Sequence, residues 1–111
     1  MQQIRRGRQR VQANIQLFAA KEGDYWVAVA TAIRVTGYGK TEEQALESFK
    51  IEMRMFFEEA VEKNTLHGLL IDYGWTLSRD FAVPPSSEIP LELLGRGESI
   101  QTHHRRVRIP V

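Results

Sequence analysis

Residues 41–63, TEEQALESFKIEMRMFFEEAVEK, decide the fold. Their apolar members are Ala45, Leu46, Phe49, Met53, Phe56, Phe57, Ala60 and Val61. These recur in steps of three and four, the stripe of a helix buried along one side. Thr41 stands where a side chain can cap the first amides, and Gln44 three residues on can reach back to it, as in a capping box. Glu42 and Glu43 then fall in the first turn, where negative charge suits the helix dipole. The opposite face carries Glu43, Glu47, Lys50, Arg54, Glu58 and Glu62. A lone helix cannot hide its aromatic stripe, so the pattern calls for a sheet to receive it.

Strand signals lie on both sides of it. In residues 11–20, Val11, Ala13, Ile15, Leu17 and Ala19 alternate with Gln12, Asn14, Gln16 and Phe18, the pattern of a half-buried strand. A turn at residues 21–24, with Gly23 suited to positive φ, leads to a second strand at residues 25–31, YWVAVAT. A third strand is expected at residues 33–38, completing an antiparallel meander, with Gly37 and Gly39 ending it. After the helix, Asn64, Thr65 and Gly68 interrupt the period. Residues 69–77 then predict a fourth strand, apolar enough in its first half to be covered on both faces. Pro84-Pro85-Ser86-Ser87 reads as a linker, interrupted again at Pro90 and at Gly95-Arg96-Gly97. Val107, Ile109 and Val111 are spaced by two and predict a last strand within residues 100–111, with Pro110 restricting it to an edge or an end. The expected organisation is a basic arm at residues 1–10, an α+β domain at residues 11–78 and a C-terminal extension at residues 79–111. That extension is expected to pack back on the body or to cross to a second subunit.

The chain has 111 residues, the size of one domain, and 42% hydrophobic content. No apolar run approaches the ~20 residues a membrane helix needs, and no signal peptide is expected at the start. Cysteine is absent, which excludes disulfides and cysteine-based zinc sites and suggests a cytoplasmic location. Charge is unevenly spread. Residues 1–10 carry +4 and residues 95–111 carry +3, so a total of +1 leaves −6 for residues 11–94. A body of one sign with ends of the other concerns partners more than fold.

Glu22-Gly23-Asp24-Tyr25-Trp26-Val27-Ala28 and Gly39-Lys40-Thr41-Glu42-Glu43-Gln44-Ala45-Leu46-Glu47 carry a resemblance to the HicB-like antitoxin family. It spans roughly residues 11–77. The chain resembles a divergent member, since residues 31–36 lack the proline and cysteine common in that family between the second and third strands. The resemblance implies a partial RNase H-like fold: an antiparallel meander, one helix on its face, and a fourth strand parallel to the first. It also implies a protein that binds and silences a small RNA-cleaving toxin of the HicA type.

Nuclease chemistry needs clustered carboxylates around paired ions. The first strand offers only Gln12, Asn14 and Gln16, and Asp72 stands alone. Gly39-Lys40-Thr41 looks like the end of a phosphate-binding loop, but Arg34 occupies the position where that pattern needs a glycine. His67, His103 and His104 have no metal-ligand spacing, because neighbours on a strand face opposite ways. No nucleophile motif is present, and Ser48 and Ser78 read as surface or capping residues. Tyr25, Trp26, Tyr73 and Trp75 read as core or interface rather than as a base-stacking platform, since the body is acidic. No enzyme, cofactor or metal is therefore expected.

Two surfaces remain. Arg5, Arg6, Arg8, Arg10, Arg105, Arg106 and Arg108 are candidates for binding nucleic-acid phosphates. Glu43, Glu47, Arg54, Glu58 and Glu62 on the exposed helix face are candidates for meeting a basic toxin. The first expectation is an antitoxin-like neutraliser, or an orphan of that kind. The alternatives are a regulator working through its arginine-rich ends and a homo-oligomer of other role. A homodimer or higher oligomer is expected in each case.

Overall fold

The computed structural model describes residues 10–78, 82–85 and 100–110. Its long helix lies where the periodicity puts it. Helix α1 runs Glu42–Glu62 behind the N-cap Thr41, whose Oγ1 accepts the Gln44 amide at 3.1 Å. Gln44 Oε1 accepts from the amide of Lys40 at 2.9 Å, one residue before the position a regular capping box would use. Ala45, Phe49, Met53 and Ala60 are buried, with Leu46, Phe56, Phe57 and Val61 half-buried beside them. Asn64 at φ 63° ends the helix. Thr65 N donates to Ala60 O and Asn64 N to Val61 O, the paired bonds of a Schellman motif.

The sheet follows from the alternating segments. Strands β1 (Arg10–Glu22), β2 (Tyr25–Ala30) and β3 (Val35–Gly39) pair antiparallel in succession. Ala13, Ile15 and Leu17 of β1 join Ala28 and Ala30 of β2 in the core shared with α1. On the other face Phe18 and Ala20 cluster with Val27, so the second half of β1 is buried on both sides, more than simple alternation suggests. The third strand starts two residues later than expected. Residues 31–34 form a turn with Ala32 and Ile33 buried and Arg34 at φ 56°. The Arg34 guanidinium lies 4.5 Å from the centre of the Tyr73 ring.

Gly39 is the last residue of β3, as expected, but Gly37 lies inside the strand. They pair opposite Trp26 and Ala28 respectively. A Cβ at Gly37 would sit 2.3 Å from Phe49 N and 2.7 Å from Ala45 O, and one at Gly39 would sit 2.6 Å from Ala45 N. The backbones of strand and helix therefore touch where no side chain intervenes.

The expected strand at residues 69–77 is replaced by helix α2 (Leu66–Asp72) and a two-residue strand β4 (Thr76–Leu77), paired with β5 (Ala82–Val83). Leu66, Leu69, Leu70 and Tyr73 have helical spacing, and burial follows it: Leu66 and Leu70 are buried, Leu69 and Tyr73 half-buried, Ile71 exposed. Gly68 lies inside this helix and does not break it. Gly74, at φ 97°, ends it with a second Schellman pair, Trp75 N to Leu70 O and Gly74 N to Ile71 O. Trp75 is then buried, and its Nε1 donates to Ala32 O at 2.7 Å, tying this segment to the β2–β3 turn.

The place beside β1 goes to the C-terminal extension. Strand β6 (Gln101–Pro110) pairs with β1 from Ala19↔Gln101 to Arg10↔Pro110, giving the order β3-β2-β1-β6. All these neighbours are antiparallel, so the fourth strand of the main sheet is not the parallel one the resemblance implies. Val107 and Ile109 enter the core on the helix side, and that burial holds the extension to the body. Pro110 falls at the end of an edge strand, as its missing N–H requires.

Gly37→Ala should destabilise the fold by about 3 kcal/mol, because backbone has to move to admit the methyl group. Gly68→Ala, whose Cβ meets nothing within 4 Å, should stabilise it by about 0.5–1 kcal/mol. Urea unfolding of the two variants checks the opposite signs.

Candidate functional site

Helix α1 does not lie centrally on the sheet. It packs chiefly on β3 and β2 and touches β1 much less. At the β3 edge Ser48 Oγ accepts the Tyr38 amide at 3.2 Å, so the helix itself satisfies a backbone donor there. At the opposite edge the flank of α1 and strand β6 stand apart. A groove of about 570 Å³ opens between them, with Met53, Phe57, Val61 and Val107 as its apolar lining. A second hollow of about 360 Å³ continues it toward the start of α1, over Leu17, Leu46 and Phe49. Lys50 and Arg105 border both, so the two form one trough. His103 Nε2 lies 2.8 Å from Glu42 Oε2 and links β6 to the first turn of α1.

The two candidate surfaces from the sequence meet at this trough. Glu58, Glu62 and Arg54 line the larger hollow, and Glu43 and Glu47 the smaller. Arg105, Arg106 and Arg108 border the larger one from the strand side. Their side chains divide by strand alternation. Arg105 shares the helix-side face with Val107 and Ile109, while Arg106 and Arg108 are exposed and alternate with them. The β1–β6 ladder also joins the two basic ends of the chain. Arg106 lies opposite Asn14, Arg108 opposite Gln12, and the backbone of Arg10 opposite Pro110. Arg5, Arg6 and Arg8 lie outside the described residues.

The charges are unequally paired. Lys50 is 3.5 Å from Glu47, an exposed contact of little energetic weight. Glu59 and Lys63 form an exposed pair at 2.7 Å. Their hydrogen bond and mutual attraction lower the Glu59 carboxyl below its ordinary value and raise the Lys63 ammonium above its own. Among the described residues Arg54 and Arg105 have no ion-pair partner, and the buried Nε of Arg105 has no acceptor.

Other sequence candidates are not brought together. His67 is exposed on α2, His103 faces α1 and His104 lies on the other face of β6. Asp72 is exposed at the end of α2 rather than on a strand. Among the described residues no group of three or more His, Cys, Asp or Glu side chains is placed to hold a metal ion. The amides of Lys40 and Gln44 are already bonded to Gln44 Oε1 and Thr41 Oγ1, so the Gly39-Lys40-Thr41 segment does not offer them to a phosphate. Trp75 is core, whereas Tyr25 is exposed. Ser48 is neither a cap nor a free surface hydroxyl: it anchors the helix to the β3 edge. No described helix is long and apolar enough to cross a membrane.

Comparison with known proteins returns no match, whether to a family model, to a curated protein or to a solved structure.

Proposed function

We propose that this chain is an interaction protein of the antitoxin type, which binds a small basic RNA-targeting toxin and silences it by covering its RNA-binding surface. The observation that carries the reading is the placement of Glu43, Glu47, Glu58 and Glu62 along one wall of a trough with an apolar floor. Carboxylates in a row attract a basic partner over distance and speed encounter. The apolar floor then supplies contact area that charge alone does not. The motif resemblance to HicB-like antitoxins read at residues 22–28 and 39–47 motivates the same reading. The partner in this account is a HicA-type toxin, and the mechanism is occlusion without chemistry.

A second reading is favoured by the pairing of β1 with β6. Arg106 and Arg108 are exposed on one face beside His104 and Asn14, with the backbone of Arg10 at the end of the same ladder. Such a strip suits a nucleic-acid backbone, and a homodimer would present it twice.

Co-purification with a HicA-type toxin encoded beside this chain tests the first reading. Capture is expected at low salt. A variant with Glu43, Glu47, Glu58 and Glu62 all changed to Lys should lose it while remaining folded by circular dichroism. No complex with the unaltered chain at low salt removes the reading. For the second, DNA and RNA duplexes should bind at ~50 mM salt with an affinity that falls steeply as salt rises. An absence of any mobility shift at that salt removes it.

A further inference from the structure

We propose that the outer edge of β6, with the groove behind it, receives an extended segment of a partner protein as an added strand, and that Arg105 and Arg54 hold a carboxylate side chain of that segment. The proposal rests on the reading of this chain as a protein-binding module and specifies what its groove selects.

The sheet has two edges, and they differ. At β3 the helix overhangs and Ser48 occupies the Tyr38 amide. At β6, ten residues long, no strand pairs with the outer side among the described residues. An edge of this kind is a row of backbone donors and acceptors spaced for one more strand. Alternate side chains of an added strand fall on the helix side. There they meet Met53, Phe57 and Val61, and beside them the cations Lys50, Arg54 and Arg105, which outnumber the carboxylates Glu58 and Glu62 on the same groove.

Charge identifies the occupant. Arg105 lines the groove and has no ion-pair partner among the described residues, and its buried Nε lacks an acceptor there, so a carboxylate entering the groove gives its guanidinium a charged partner. A second copy of this chain is a poor fit to the same edge. Full antiparallel overlap of two β6 strands would set Arg105 of each opposite Arg106 of the other, and like charges facing each other oppose pairing. An extended segment of another protein whose helix-side positions are apolar, with one carboxylate among them, meets the edge, the apolar lining and the arginines. Such a segment is compatible with a partner that is basic elsewhere.

The test uses the full chain and fluorescein-labelled octapeptides with serine at every second position and, between the serines, valine except for one central glutamate, with glutamine and lysine at that central position as controls, read by anisotropy at low salt. The glutamate peptide should bind about ten-fold more tightly than the glutamine one, and the lysine peptide more weakly than either. Arg105→Gln and Arg54→Gln should each remove most of the preference for glutamate. Arg105→Lys should keep part of it, since it retains charge but loses the forked geometry. Backbone amide shifts should move along β6 and the facing flank of α1. Equal binding of the glutamate and glutamine peptides, preference for lysine, no binding of any peptide at millimolar concentration, or shifts at β3 instead of β6 would each overturn the proposal. The outcomes separate from those of toxin capture. Toxin held equally well by the Arg105→Gln variant, with no peptide binding, defeats this inference alone. Peptide binding without toxin capture defeats the neutraliser reading alone.

Discussion

The contact between α1 and the bare backbone of β3 at Gly37 and Gly39 sets the position of everything else. Phe49 N and Ala45 O lie so near Gly37 that even a methyl group has no room. Close contact of two backbones at one edge of a four-stranded sheet fixes the helix off-centre. The helix then roofs β3, down to the Ser48 bond to the Tyr38 amide. It cannot also cover β6. The trough is the space left over, and its floor is the flank of the apolar stripe that has no strand beneath it among the described residues.

That geometry gives the trough its mixed chemistry. One wall is the exposed side of an acidic helix; the other is the basic end of the chain folded back onto its start. In the proposed role the acidic wall would attract a cationic partner from a distance, whereas Arg105, sheltered on the inner face, would act only on what enters. Long-range attraction and short-range selection therefore reside in different residues. The arrangement suits recognition of a protein surface, where steering and specificity are separate demands.

Much of this was legible in the sequence. Thr41, Gln44 and the stripe from Ala45 to Val61 announce α1, because capping and periodicity are local signals. The spacing of Val107 and Ile109 announces β6 and places Arg105 on their face. Residues 69–77 misled because Leu69-Leu70-Ile71 is a short apolar run that fits a strand or a buried helix. Only the step from Leu66 to Leu70 and Tyr73 decides for the helix. Gly37 read as part of a strand exit because its reason for being glycine lies on a helix that only tertiary packing brings near. The candidate acids and arginines were each visible. Their facing one another was not, since it depends on pairing across nearly the whole chain, from Arg10 to Pro110.

Hydrogen exchange at the amides of β6 tests the central claim most directly, because that claim needs an extension that is paired on one side and open on the other. In an antiparallel edge strand successive amides point alternately toward the neighbour and away from it. The account predicts that every second amide within Gln101–Ile109 is protected in the free protein and that those between exchange rapidly. Rapid exchange along the whole segment would show that it does not pair with β1. Protection along the whole segment would show that its outer edge is already taken, and either result contradicts the account.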